Sequence, residues 1–237
     1  MKSSKFAVLI ISTALSSAAT SAPYDWTGFY AGLNAGFVNH TMNITDTNAA
    51  SFNATIQQVT NPKLTGGIQI GYRRQLDLTN VSGIYGIELS ANYANAEFKK
   101  QYGSPFALYQ LNSENELNNV YLMQAIGGIV ADKTLLFLAA GFSYTNISGK
   151  TTSINSVPFF NAFNVAQNSF GTSIGAGIEY AFTNAISGRF KIDVITPNAY
   201  STTDNVGNGY QISNSIVQAT LGLNFNLDKM GWIKTTA

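Results

Sequence analysis

Short stretches of strict residue alternation, joined by connections that are in turn long and short, constrain this chain more than any other feature. From Phe29, Ala31, Leu33, Ala35 and Phe37 fall on one face, and Tyr30, Gly32, Asn34 and Gly36 on the other. Period two is the signature of a strand whose faces meet different surroundings. Further segments of the same kind run at about Leu64–Arg73, Ile84–Tyr93, Leu136–Tyr144, Phe170–Phe182, Arg189–Val194 and Val217–Phe225. Another, about Val120–Val130, is apolar on both faces, and its orientation stays open.

The connections decide what such strands build. Long polar segments follow the first, third, fifth and seventh strands: about Val38–Lys63, Ala94–Asn119, Asn146–Asn168 and Thr196–Asn214. Short links follow the even ones, notably Ala131–Thr134 and Thr183–Ala185. One end of the sheet therefore carries every elaborate connection. A soluble sandwich has no reason to keep that asymmetry, whereas outer-membrane barrels have long external loops and short periplasmic turns.

Composition agrees. Charged residues make up 11% of the chain, less than half of the usual share of about 25%. Outside the first residues no stretch reaches the roughly 18–20 apolar residues of a membrane helix. Tyr72, Tyr85, Tyr180, Phe182 and Phe225 lie at the short-turn ends of the apolar faces, and Phe37, Tyr93, Tyr121, Tyr144 and Phe170 at the long-loop ends. Two such rings match the girdles of the membrane interfaces. The expected fold is all-β, a closed antiparallel up-and-down transmembrane β-barrel of about eight strands.

Residues 1–22 read as a signal peptide. Lys2 and Lys5 precede an apolar run from Phe6 to Leu15, and Ser16–Ala22 is a small-residue cleavage region. Cleavage falls after Ala19 or after Ala22, and either cut removes both lysines and takes the net charge from +1 to −1. The barrel is expected over residues 23–227, with a short tail over 228–237.

The segment WTGFYAGLNAGF, Trp26 to Phe37, resembles the opening strand of the outer-membrane β-barrel domain family, which includes opacity-type and OmpA-type eight-stranded barrels. Glycine-rich strands such as GGIQIGY and SIGAGIEY extend the likeness loosely over the rest of the chain. The resemblance implies a bacterial outer-membrane location and a role as envelope scaffold, adhesin or small low-conductance pore. One departure is the stretch of residues after Phe225, where many such barrels end on an aromatic; either Phe225 serves as an internal assembly signal or Trp232 takes part. No cell-wall tether is expected.

Arg73, Glu88, Glu179, Arg189, Lys191 and Asp193 all fall on the inner faces. Centring the sixth-to-seventh hairpin on Asn184 pairs Phe182 with Ile186, Ile178 with Phe190 and Ile174 with Val194, and sets Glu179 opposite Arg189. Charges in a narrow barrel must be paired or hydrated. The six residues form either a salt-bridge plug or a polar constriction along a conducting path. His40, the one histidine, is the only base available to an outer-membrane lipid-modifying enzyme, and is expected at the rim of the first long loop with no catalytic role. The apolar loop residues Phe159, Phe160 and Phe163, with Phe106 and Tyr109 as a weaker analogue, either cover the barrel mouth or contact a partner. Gly175 and Gly177 sit mid-strand, where they bend a narrow barrel or clear space inside it.

With no cysteine and a near-neutral charge, thiolate chemistry is excluded and nucleic acid is not an expected partner. No metal or cofactor is expected. The leading reading is a non-enzymatic envelope and surface-interaction protein, touching outer-membrane lipid and lipopolysaccharide and, through its loops, a host or envelope protein. A small porin is the alternative, and a lipid-modifying enzyme the remote one.

Overall fold

The computed structural model describes residues 24–47, 55–59, 61–77, 81–103, 110–153, 163–164, 167–203 and 209–232. Among these the regular elements are all strands: β1 (Gly28–Asp46), β2 (Thr55–Val59), β3 (Lys63–Asp77), β4 (Ser82–Gly103), β5 (Gln110–Ala131), β6 (Thr134–Ser153), β7 (Phe163–Asn164), β8 (Gln167–Ala181), β9 (Ile186–Pro197), β10 (Tyr200–Thr203) and β11 (Gly209–Asn226). Eight of them run round a closed antiparallel barrel in the order β1-β3-β4-β5-β6-β8-β9-β11, and β11 closes on β1 from Tyr30↔Asn226 to Asp46↔Tyr210. The short β2, β7 and β10 pair with the outer parts of β1, β6 and β11.

Alternation places the faces as expected. Leu64, Phe142, Phe170 and Ile174 point outward and are 74, 69, 68 and 68% exposed. An apolar girdle of this size would be a liability in water and belongs against lipid. Phe29 stacks on Tyr72 and Tyr180 on Phe182 at the periplasmic edge, while Tyr144 stacks on Tyr121 and Phe170 at the outer edge. The β8–β9 register is the expected one, with Ile174↔Val194, Ile178↔Phe190 and Glu179↔Arg189. Its turn is Thr183–Ala185: the amides of Phe182 and Thr183 donate to Ile186 O, and Thr183 Oγ1 accepts from the amides of Ala185 and Ile186. The β5–β6 turn needs only Asp132 and Lys133, with Asp132 at φ 53°, a left-handed conformation that Asp tolerates.

One expectation is corrected, and one orientation left open is now resolved. The long polar segments are largely strand: β4 and β5 stay paired from Tyr102↔Leu111 downward, and β1 continues to Asp46. Outside the membrane a ladder no longer needs an apolar outer face, so the pattern that marks the lower strands fades there. The strand that could not be oriented is apolar on both sides because Leu122, Ile126 and Val130 face a lumen that is itself partly apolar.

Candidate functional site

The lumen is layered. At its periplasmic end Trp26 packs with Ile84, Ile126, Leu135, Phe137 and Ala181. At the outer end Val38, Leu117, Val120, Leu122, Ile195 and Ile216 form a second apolar layer. Above it Met42, Ile44, Tyr210 and Ile212 form a third, against which Tyr200 packs. Burial pushes the Tyr200 phenol up to about 12.

Between the apolar layers stand all six predicted charges, each no more than 5% exposed. Three cations face three carboxylates. Arg73 makes a two-pronged bond to Glu179, 2.9 Å from each guanidinium nitrogen to a carboxylate oxygen. Arg189 pairs with Glu88 through both terminal nitrogens. Lys191 lies 3.2 Å from both Glu88 and Asp193. The register therefore holds while the pairing differs from a simple cross-strand bond: Glu179 and Arg189 are ladder neighbours, yet each finds its partner across the lumen. The long arginine reaches a carboxylate on the opposite wall, and the planar guanidinium prefers that bidentate geometry.

Uncharged groups complete the network, and sequence reasoning did not find them. Tyr30 donates to Glu88 Oε2 at 2.6 Å, and Ser187 donates to Glu179. Gln124 donates to Asp193 Oδ1 at 3.0 Å and Ser173 Oγ at 3.1 Å, and accepts from Lys191. Tyr30 and Ser187 could have been found, because each lies on the inner face of its strand. Gln124 could not be assigned while its strand lacked an orientation. Arg73 is also stacked between aromatic rings, its guanidinium carbon 4.6 Å from the Trp26 centroid and 4.5 Å from that of Tyr30. Glycine supplies the room: a Cβ on Gly71 would strike the Tyr30 ring, and one on Gly177 the Phe137 ring.

In the middle of the lumen lies a cavity of about 10 Å³, lined by Asn34, Glu88, Asn92, Lys191, Asp193 and Gln218 among others. That is about the space of one water molecule. His40 lies in β1 with its side chain buried in the lumen, and its Nε2 sits 2.9 Å from Asn214 Oδ1. This corrects the expectation of a loop-rim histidine. Of the apolar loop residues, Phe106, Tyr109, Phe159 and Phe160 lie outside the described residues, and Phe163 belongs to β7, where its backbone pairs with Thr151.

The outer membrane protein beta-barrel domain family matches residues 7–225 of this chain. No curated protein sequence matches it. Among solved structures it is similar to the outer membrane protease OmpT from Escherichia coli, at 10% identity and a TM-score of 0.51 over 84% of this chain and 96% of that one. It is also similar to OprG from Pseudomonas aeruginosa, at 12% identity and a TM-score of 0.47 over 86 and 100%. Neisserial surface protein A aligns at 12% identity with a TM-score of 0.41 over 84 and 97%. At these identities the likeness is one of fold alone.

Proposed function

Because the chain belongs to the outer membrane protein beta-barrel domain family, and so is a multi-pass barrel of the bacterial outer membrane, we propose that it is a non-conducting envelope protein. Its barrel anchors outward-projecting hairpins that make surface contacts. One observation carries this reading: a neutralised charge layer between two apolar layers leaves a cavity of about 10 Å³. A hydrated ion does not pass such a lumen, so the outer hairpins are left as the working surface.

Their reach supports the same reading. Beyond Tyr93 and Asn119, β4 and β5 stay paired from Ala96↔Leu117 to Gly103↔Gln110, well past the aromatic ring that marks the outer interface. In the sequence, the segments that follow β4 and β6 carry Phe106, Tyr109, Phe159 and Phe160, side chains that suit a partner protein or the lipid portion of lipopolysaccharide. A small porin is favoured only by the presence of lumen charge, and those charges are committed to one another. Lipid chemistry would need His40 as its base, and its buried ring is engaged by Asn214.

Photo-cross-linkers placed at Phe106 and Phe159 in intact cells test the proposal, with Lys133 in the periplasmic turn as control. Adducts with lipopolysaccharide or an envelope or host protein are expected at the two tips and not at position 133. Equal adducts at all three positions, or none at the tips, would remove the surface-contact role.

A further inference from the structure

The segment that carries the family resemblance, Trp26-Thr27-Gly28-Phe29-Tyr30, does something that strand alternation does not require. Before β1 begins, the chain turns inward and lays Trp26 across the periplasmic mouth, where the indole is 0% exposed. The turn depends on Gly28, whose φ of +129° is a conformation that residues with a side chain rarely adopt.

Residues 24–27 are tied to β3, to the β5–β6 and β8–β9 turns and to the end of β11. Trp26 N–H donates to Gln75 Oε1 on β3, and Gln75 N–H donates back to Thr27 Oγ1. Tyr24 donates its amide to Asp132 O in the β5–β6 turn and its hydroxyl to Asn184 O in the β8–β9 turn. Asn226 at the end of β11 donates to Thr27 O. Arg73, already bonded to Glu179, gives its Nε–H to Trp26 O and stacks on the indole. The mouth is thus closed by residues 24–27, which precede the first barrel strand.

We infer that Trp26 is a periplasmic stopper, and that the apolar chamber it fills admits a planar aromatic ring of indole size when the stopper is withdrawn. Two observations point past mere core packing. Apart from Tyr24, which lies on the same segment, the chamber walls Ile84, Ile126, Leu135, Phe137 and Ala181 come from barrel strands, so most of the wall stands without the segment. The indole N–H, although buried, has no hydrogen-bond partner among the described residues. A buried donor left unpaired weakens the hold on its ring. The inference extends the closed-barrel reading, but its readout is chemical access from below and not conductance.

The chain has no cysteine, so Ala181→Cys places a unique thiol on the chamber wall. In refolded barrels, with folding checked by heat-dependent gel mobility, a charged thiol reagent should label this introduced thiol slowly. Adding Trp26→Ala should speed labelling roughly tenfold or more, as local protection is lost. Trp26→Phe should keep most of the protection, and indole added to the Trp26→Ala barrel should restore it. A folded Trp26→Ala barrel that still protects the thiol overturns the stopper. Indole without effect overturns the chamber as a ring site. If Trp26→Ala does not refold, Trp232→Phe leaves Trp26 as the sole tryptophan: blue-shifted, iodide-resistant emission supports the stopper, and quenchable emission overturns it. Failure here together with zero conductance would leave the non-conducting reading intact.

Discussion

Glu179 stands beside Arg189 in the β8–β9 ladder, while its carboxylate is held by Arg73 on the far side of the lumen. Alternation and turn length assign all six charges to the inner faces, where they are buried, because a one-residue slip would turn Arg189 and Lys191 into lipid, at about 2–4 kcal/mol each near the midplane. Which cation meets which carboxylate depends on barrel closure, and no single hairpin encodes that. Arg73→Ala and Glu179→Ala should each destabilise the barrel by about 3–5 kcal/mol, the cost of an uncompensated buried charge. The double mutant should cost less than their sum by about 1–3 kcal/mol, and the Arg189/Glu179 pair should couple more weakly. Urea titration in lipid vesicles measures this; additivity at Arg73/Glu179 would contradict the pairing. Tyr200, in the outermost layer, gives a pH signal of the opposite kind. Its folded pKa of about 12 lies above its ordinary value near 10. Its share of stability is therefore present below pH ~10 and lost as the pH rises toward about 12. A difference titration of phenolate absorbance between wild type and Tyr200→Phe should show one tyrosine ionising at the higher value. Ionisation with the ordinary group would contradict its burial.

At the scale of elements, the hairpins with short turns were readable and the outer ones were not. Phe182 and Ile186 frame a three-residue turn, and alternation on both sides of it leaves one register that keeps charge out of lipid. Beyond the outer girdle that constraint ends, and Ala94–Asn119 looks like loop although most of it is ladder. A weak signal was present: Met42 and Ile44, like Tyr210 and Ile212, keep the inward parity of their strands past the girdle. Paired backbone resists proteases, so chymotrypsin added to intact cells should cut only between the outer strand ends, at Phe52, at Phe106 or Tyr109, and at Phe159 or Phe160. Mass spectrometry of the fragments locates the cuts. Cleavage within β4 or β5, at Tyr93 or Tyr121, or at the periplasmic turns of sealed cells, would contradict the topology.

For the whole molecule, closure of β11 on β1 leaves no free ladder edge within the membrane, as a lipid-spanning sheet requires. An eight-stranded barrel has an interior just wide enough for side chains to fill, and this one fills it in layers: indole and aliphatic side chains below, three matched ion pairs in the middle, aliphatic side chains again above. The apolar layers were hidden in sequence, because the inner face of a barrel strand is expected to be polar, and Leu122, Ile126 and Val130 read as noise in a two-sided apolar run. In the reading proposed above, these layers seal a charged lumen that alone would suit a pore. Single-channel recording of the refolded full-length barrel in planar bilayers tests that seal most directly. The account predicts a flat baseline for wild type at every voltage that the bilayer withstands. Discrete, ion-selective opening steps from properly folded wild-type protein would contradict it.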